Sequence, residues 1–351
     1  MPFIVPALAA AGPDAPVELT TIERRDPGPH DVVIDIAYTG ICHTDIALLR
    51  NHWMEGLFPM VPGHEITGTV VATGPDVTRY AVGDPVGVGC YVDSCRTCVN
   101  CLAGEEQHCL KGEVLTYGAL GYDERPTFGG YSRRIVVDEH YVLRIPDGLA
   151  LDVAAPLLCA GVTMYAPLRR WGAAAGRKVA VVGMGGLGHI GVKMAHAMGA
   201  EVTVLSRSLS KREDGLRFGA DDYVSTEDGS YVRDHGQGFD LIVNTVSGGI
   251  DTNAYLALLR LDGVLVNAGV TAEAATFQGM LLGSPRRIIT STKNGSIREN
   301  QEMLDFCASH GIAADIETVP ADQVNTALER LDRGDVRYRF VIDVSTLGAS
   351  E

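Results

Sequence analysis

The stretch "KVAVVGMGGLGHIGVKMAHA", residues 178–197, constrains the fold more than any other part of the chain. A continuous apolar run leads straight into a glycine-rich turn, and the turn leads into a helical pattern. Gly183, Gly185 and Gly188 stand in G-x-G-x-x-G spacing, which carries meaning where it joins a strand to a helix. The texture repeats downstream in "EVTVLSRS", "FDLIVNTVS", "NAYLALLRLDGVLVNAGV" and "RIITST". Strands alternating with helices imply βαβ units and a doubly wound parallel sheet. The uninterrupted apolar runs Val179–Val182 and Leu241–Val243 fit strands covered on both faces.

Such a turn allows a pyrophosphate to approach the backbone and rest on the helix N-terminus. The candidate contacts are Gly183, Gly185, Gly186, Leu187 and Gly188. An acidic residue about 20 positions on would bind a ribose 2′-hydroxyl. This chain instead carries Ser206, Arg207, Ser208, Lys211 and Arg212 there, with no acid before Glu213. Hydroxyls and cations suit a 2′-phosphate, which a carboxylate would repel. The reading is NADP(H) over NAD(H); the plainer alternative is that Lys211 and Arg212 are solvated helix charges.

Residues 17–150 read differently, as short strands broken by Gly-Asp and Pro-Gly pairs, the pattern of a β-rich domain. The expected division is a β-rich domain at 1–153, a dinucleotide-binding domain at 154–295, and a tail at 296–351 that returns to the first. A net charge of −15 opposes nucleic acid as a partner and fits action on small molecules. The most apolar internal stretch, Ala154–Leu168, holds Pro156 and Pro167 and is too short to span a bilayer. The N-terminus has no basic residue before Arg24, against a secretory signal. A cytoplasmic setting follows, where clustered thiols act as metal ligands.

Eight cysteines are present. Four of them, Cys95, Cys98, Cys101 and Cys109, follow C-x2-C-x2-C-x7-C in a polar loop. Four thiolates with no open position describe a structural zinc site, with an iron–sulfur cluster as the metal alternative. Cys42, His64 and Cys159 are scattered, in "GICHTD", "VPGHE" and "PLLCAG". Two thiolates and an imidazole with a fourth position open make a catalytic zinc site; singly, each is more often a core thiol or a turn histidine. Cys90 and Cys307 have no role legible from their surroundings.

These motifs, in this order, together with "FGGYS", "QEMLDFC" and "VRYRFVID", resemble the zinc-dependent medium-chain alcohol dehydrogenases. The branch most similar is the cinnamyl-alcohol-dehydrogenase-like one, with bacterial NADP-dependent alcohol dehydrogenases and aldehyde reductases. The resemblance implies a GroES-like catalytic domain plus a Rossmann domain, two zinc ions per chain, and usually a homodimer. It implies Cys42, His64 and Cys159 as catalytic zinc ligands, with Glu65 binding transiently. It also implies Thr44 as the hydroxyl on the substrate oxygen, passing a proton through the cofactor ribose. His43 matches a residue near the cofactor phosphates and Thr163 one beside the nicotinamide.

Two departures stand out. The relatives' pattern C-H-[ST]-D-x-H often ends in a relay histidine, and here that position is Ala47; His52 lies five residues on, on another helical face. "TSTKN", residues 290–294, is polar where relatives carry small apolar residues, so Lys293 lines the substrate cleft or sits on the surface. The expected activity is hydride transfer between NADP(H) and a primary alcohol or aldehyde, favouring reduction. The alternatives are reduction of a C=N or conjugated C=C bond on the same scaffold, or a non-catalytic NADPH-binding sensor.

Overall fold

A single long strand, Asp31–Ile41, organises the β-rich part of the molecule. Its Val and Ile residues favour extended backbone, and most of its side chains are buried. It pairs antiparallel with Ile66–Thr73, Arg134–Asp138 and Arg339–Asp343. The sheet extends through Pro85–Val88 and Val142–Arg144 on one side, and through Ile316–Pro320 on the other. The last two strands of the chain therefore complete a sheet begun by its first 150 residues. The computed structural model describes residues 2–270 and 274–348. It forms two compact units: the residues through Cys159 together with those from Ser296 onward, and Ala160–Gly295.

In the second unit the strands Lys178–Val182, Glu201–Ser206, Asp222–Ser225, Phe239–Asn244, Leu259–Asn267 and Ile288–Ser291 are all parallel. Counted along the chain, they lie side by side as 3-2-1-4-5-6, the Rossmann order. Val179, Ala180, Val181, Ile242 and Val243 are wholly buried, as strands covered by helices on both faces must be. The strand order reverses between Lys178–Val182 and Phe239–Asn244, and ligands of such sheets bind at the carboxyl ends beside that reversal. The glycine-rich turn leaves the sheet there. The expected class, a GroES-like β-rich unit plus a Rossmann unit, is the one observed. Among the described residues, no single helix is long and apolar enough to cross a membrane.

Candidate active site

The scattered candidates converge in the first unit. Cys42 directly follows the long strand and sits at the N-cap of the helix His43–Leu49, with extended backbone at φ −116° and ψ 155°. His64 and Glu65 follow Gly63, whose φ of +101° suits glycine, and lead into the neighbouring strand Ile66–Thr73. Cys159 follows the short 3-10 turn Ala155–Leu158. One ligand atom from each of Cys42, His64, Glu65 and Cys159 lies within 4.8 Å of all the others. All four are buried, Glu65 completely.

Two features test whether a metal fits. His64 Nε2 and Glu65 Oε2 are buried and accept no hydrogen bond; leaving such atoms unpaired costs about 1–3 kcal/mol each. A cation between them removes that cost, and two thiols, an imidazole and a carboxylate are a zinc donor set. The other ring nitrogen, Nδ1, also makes no hydrogen bond of good geometry but lies 3.3 Å from Asp45 Oδ1, within reach of the kind of carboxylate that orients a metal-bound histidine. Hydrogen bonding from Cys159, and attraction to His64 and Arg339, hold the Cys42 thiol well below its usual range despite burial. Cys159, donating to Cys42 and Cys90 and buried, is pushed up. Burial pushes Glu65 up to about 8, against the pull of Arg339.

Asp45 and Arg339 are the functional residues that sequence reasoning missed. Asp45, completely buried, accepts from the Cys42 N–H at 2.8 Å, from the Tyr117 hydroxyl at 2.7 Å and from the Tyr131 hydroxyl at 3.3 Å. A signal existed: an acid three residues after an N-cap position is half of a capping box. Arg339, also buried, donates to Glu65 Oε1 and to the Ile41 carbonyl. It stands inside "VRYRFVID", but only the fold reveals its partner.

Among the remaining candidates of this unit, Thr44 is half-buried with Oγ1 3.5 Å from Cys42 Sγ. His43 is exposed, Ala47 is buried, and His52 is exposed with its N–H donating to the Ala47 carbonyl. Cys90 is half-buried, its thiol 4.0 Å from the Leu158 carbonyl, while Cys307 is buried beside Met303.

The four-cysteine loop is a second cluster. Its four sulfurs also lie within 4.8 Å of one another, with Cys98 to Cys101 at 3.5 Å and Cys95 to Cys101 at 3.9 Å. A tetrahedron with zinc–sulfur bonds of about 2.3 Å has edges of roughly 3.8 Å, so the cage already has the right size. Backbone N–H groups of Cys95, Cys98, Cys101 and Leu110 point at the sulfurs, a setting that favours thiolates. Cys95 is pulled down to about 6, first by the Thr97 N–H, whereas burial pushes Cys101 up to about 11.

In the second unit each glycine of the turn has its own reason. Gly183 has φ +90°. A Cβ on Gly188 would stand 2.0 Å from the Gly183 carbonyl, so the helix Gly188–Ala197 packs on the turn only because that atom is missing. A Cβ on Gly185 would meet nothing within 4 Å, which leaves the approach open for a phosphate. Gly186 and Leu187 complete the half-buried turn. Ser206 ends the adjacent strand, followed by exposed Arg207 and Ser208. The Lys211 ammonium donates to the Met184 carbonyl at 3.2 Å, which brings a cation to the turn, while Arg212 is exposed. Thr163 is buried in the helix Ala160–Arg170, and Lys293 is exposed.

Residues 28–147 match the alcohol dehydrogenase GroES-like domain, and residues 186–309 the zinc-binding dehydrogenase domain. The chain is 55% identical over 343 residues to NADP-dependent alcohol dehydrogenase C of Mycobacterium bovis, covering 98% of this chain and 99% of that protein. It is 49% identical over 348 residues to the aldehyde reductase YahK of Escherichia coli, covering 98% and 99%. A solved cinnamyl alcohol dehydrogenase of Sorghum bicolor superposes with a TM-score of 0.96 at 40% identity, over 99% of this chain and 100% of that one. With its buried cysteine–histidine cluster, four-cysteine loop and dinucleotide turn in one chain, the protein belongs to the zinc-binding alcohol dehydrogenases, in their cinnamyl-alcohol-dehydrogenase-like branch.

Proposed function

We propose that the protein transfers hydride between NADP(H) and a primary alcohol or aldehyde, working chiefly as an aldehyde reductase. The observation that carries the reading is the buried cluster of Cys42, His64, Glu65 and Cys159, one ligand atom of each within 4.8 Å of the others, with imidazole nitrogens and a carboxylate oxygen that make no hydrogen bond. Cys42, His64 and Cys159 would hold a catalytic zinc ion, with Glu65 beside it, and the four-cysteine loop a structural one. Zinc at the first site supplies Lewis acidity to the alcohol or aldehyde oxygen. NADP(H), the cofactor named for the mycobacterial relative, supplies or accepts the hydride. Ser206, Arg207, Ser208 and Lys211 would select the 2′-phosphate.

The chain's own side chains do the rest. Asp45, 3.3 Å from Nδ1, would keep the His64 ring turned with Nε2 toward the metal. Arg339 pairs with Glu65, both side chains buried. Thr44, whose hydroxyl lies 3.5 Å from the Cys42 sulfur, would donate a proton to the reacting oxygen. The buried methyl of Ala47 cannot carry that proton onward, so a water route replaces a histidine at this position. We also propose a homodimer: the edge strand Ile288–Ser291 pairs on one side only among the described residues, and Ile288 and Met280 are exposed near that edge.

Metal content and NADPH oxidation over a panel of neutral and acidic aldehydes test the proposal. Two zinc ions per chain with turnover support it. NADPH binding without turnover on any carbonyl, imine or enone would identify a sensor instead, and a lower KM for NADH than for NADPH would overturn the cofactor assignment.

A further inference from the structure

Cys159 belongs to no strand or helix and directly follows the 3-10 turn Ala155–Leu158, so its position depends on what holds that turn. The residue before it, Leu158, ends the 3-10 turn, and its carbonyl is gripped from the far end of the chain: Asn300 Nδ2 donates to Leu158 O at 3.2 Å, in a buried contact. Asn300 is itself buried, and its Oδ1 accepts no hydrogen bond. Turning the amide over would set two acceptors face to face at Leu158 and leave the donors unpaired, so the network fixes its orientation. A buried amide with one unpaired atom costs stability relative to an apolar side chain. The grip on Leu158 is the contact it makes in return.

The helix carrying Asn300, Ile297–His310, is rigidly seated. A capping box closes its N-terminus: Ser296 accepts from the Glu299 N–H, and Glu299 accepts from the Ser296 N–H. The next side chain, Gln301, both accepts from the Arg144 N–H at 2.9 Å and donates to the Arg144 carbonyl at 3.1 Å, so the helix is clamped to the strand Val142–Arg144. Space for Asn300 comes from Gly89, where a Cβ would lie 3.1 Å from Nδ2. The Cys90 thiol points at the same Leu158 carbonyl from 4.0 Å.

We infer that Asn300 is a positioning residue for the catalytic metal: it holds the Leu158 carbonyl and so sets where the Cys159 sulfur stands. The inference rests on the reading that Cys159 binds zinc. Residues that orient metal ligands typically change metal affinity 10- to 100-fold when removed.

The test uses the full-length holoenzyme and follows zinc release to a chelator, with a parallel sample carrying cobalt in the catalytic cluster. Asn300→Leu keeps the branched shape while removing both the donor and the unpaired acceptor. Its unfolding temperature should match wild type and the four-cysteine loop should keep its zinc, but one zinc per chain should leave about 10-fold faster and the cobalt absorption bands should shift. Asn300→Ala should behave alike. Release and spectra like wild type in either variant would overturn the inference, as would failure of both variants to fold, which marks a structural residue. A wild-type protein holding only the loop metal would overturn the catalytic-zinc reading itself.

Discussion

At the residue scale, the candidate site depends on contacts that leave no room for substitution. A Cβ on Gly40 would lie 1.9 Å from Glu65 Oε2, so Gly40→Ala must push the carboxylate aside. Overpacking of this kind costs about 1–3 kcal/mol, to be read from denaturant unfolding, and zinc in the catalytic cluster should be held less tightly. Arg339 and Glu65 form a buried ion pair. Removing one partner of such a pair costs roughly 3–5 kcal/mol, because the other charge is left unpaired. Arg339→Met should therefore lose that much, and adding Glu65→Gln should recover a large part of it. A double mutant no more stable than Arg339→Met would show that the pair is not what the arginine is for.

At the scale of elements, the strand, turn and helix of the dinucleotide site separate packing from ligand contact. Gly188→Ala sets a methyl against the Gly183 carbonyl, so it should lower both the unfolding temperature and NADPH affinity. Gly185→Ala meets nothing in the protein within 4 Å. It should leave the unfolding temperature unchanged while weakening NADPH binding in a fluorescence titration; equal loss of stability in both variants would refute that division. The four-cysteine loop is equally self-contained. Cys101→Ser should take the zinc content from two per chain to one, with catalytic zinc retained at first and stability lost. Both motifs were legible from the residues alone, because each is built from neighbours in the chain whose spacing is set by a single turn.

At the scale of the whole molecule, binding shows as stability. NADPH at 100 times its Kd should stabilise the folded state by about 2.7 kcal/mol. NADH at the same concentration should do markedly less if Ser206, Arg207 and Lys211 read the 2′-phosphate. A thermal shift series with both cofactors checks this, and equal shifts would remove the phosphate reading. Sedimentation at micromolar concentration tests the dimer.

The sequence by itself determined the parallel sheet, the glycine turn and the metal cage of the loop, because local spacing and hydrophobic runs dictate each of them. It offered Cys42, His64 and Cys159 as candidates that each had a plainer reading, and the resemblance decided between them and added Glu65, since no local rule links positions so far apart. The tertiary structure decided what surrounds them. Strand pairing set Ile66 against Thr39, which brings His64 and Glu65 beside Cys42. The return of the tail laid Phe340 against Ile41, which delivers Arg339 to Glu65 across 274 positions and Asn300 to Leu158 across 142. Hydrogen bonds and ion pairs to buried groups act over a few ångströms and are blind to sequence separation, so the partners of a buried charge become visible only once the sheet has closed around it.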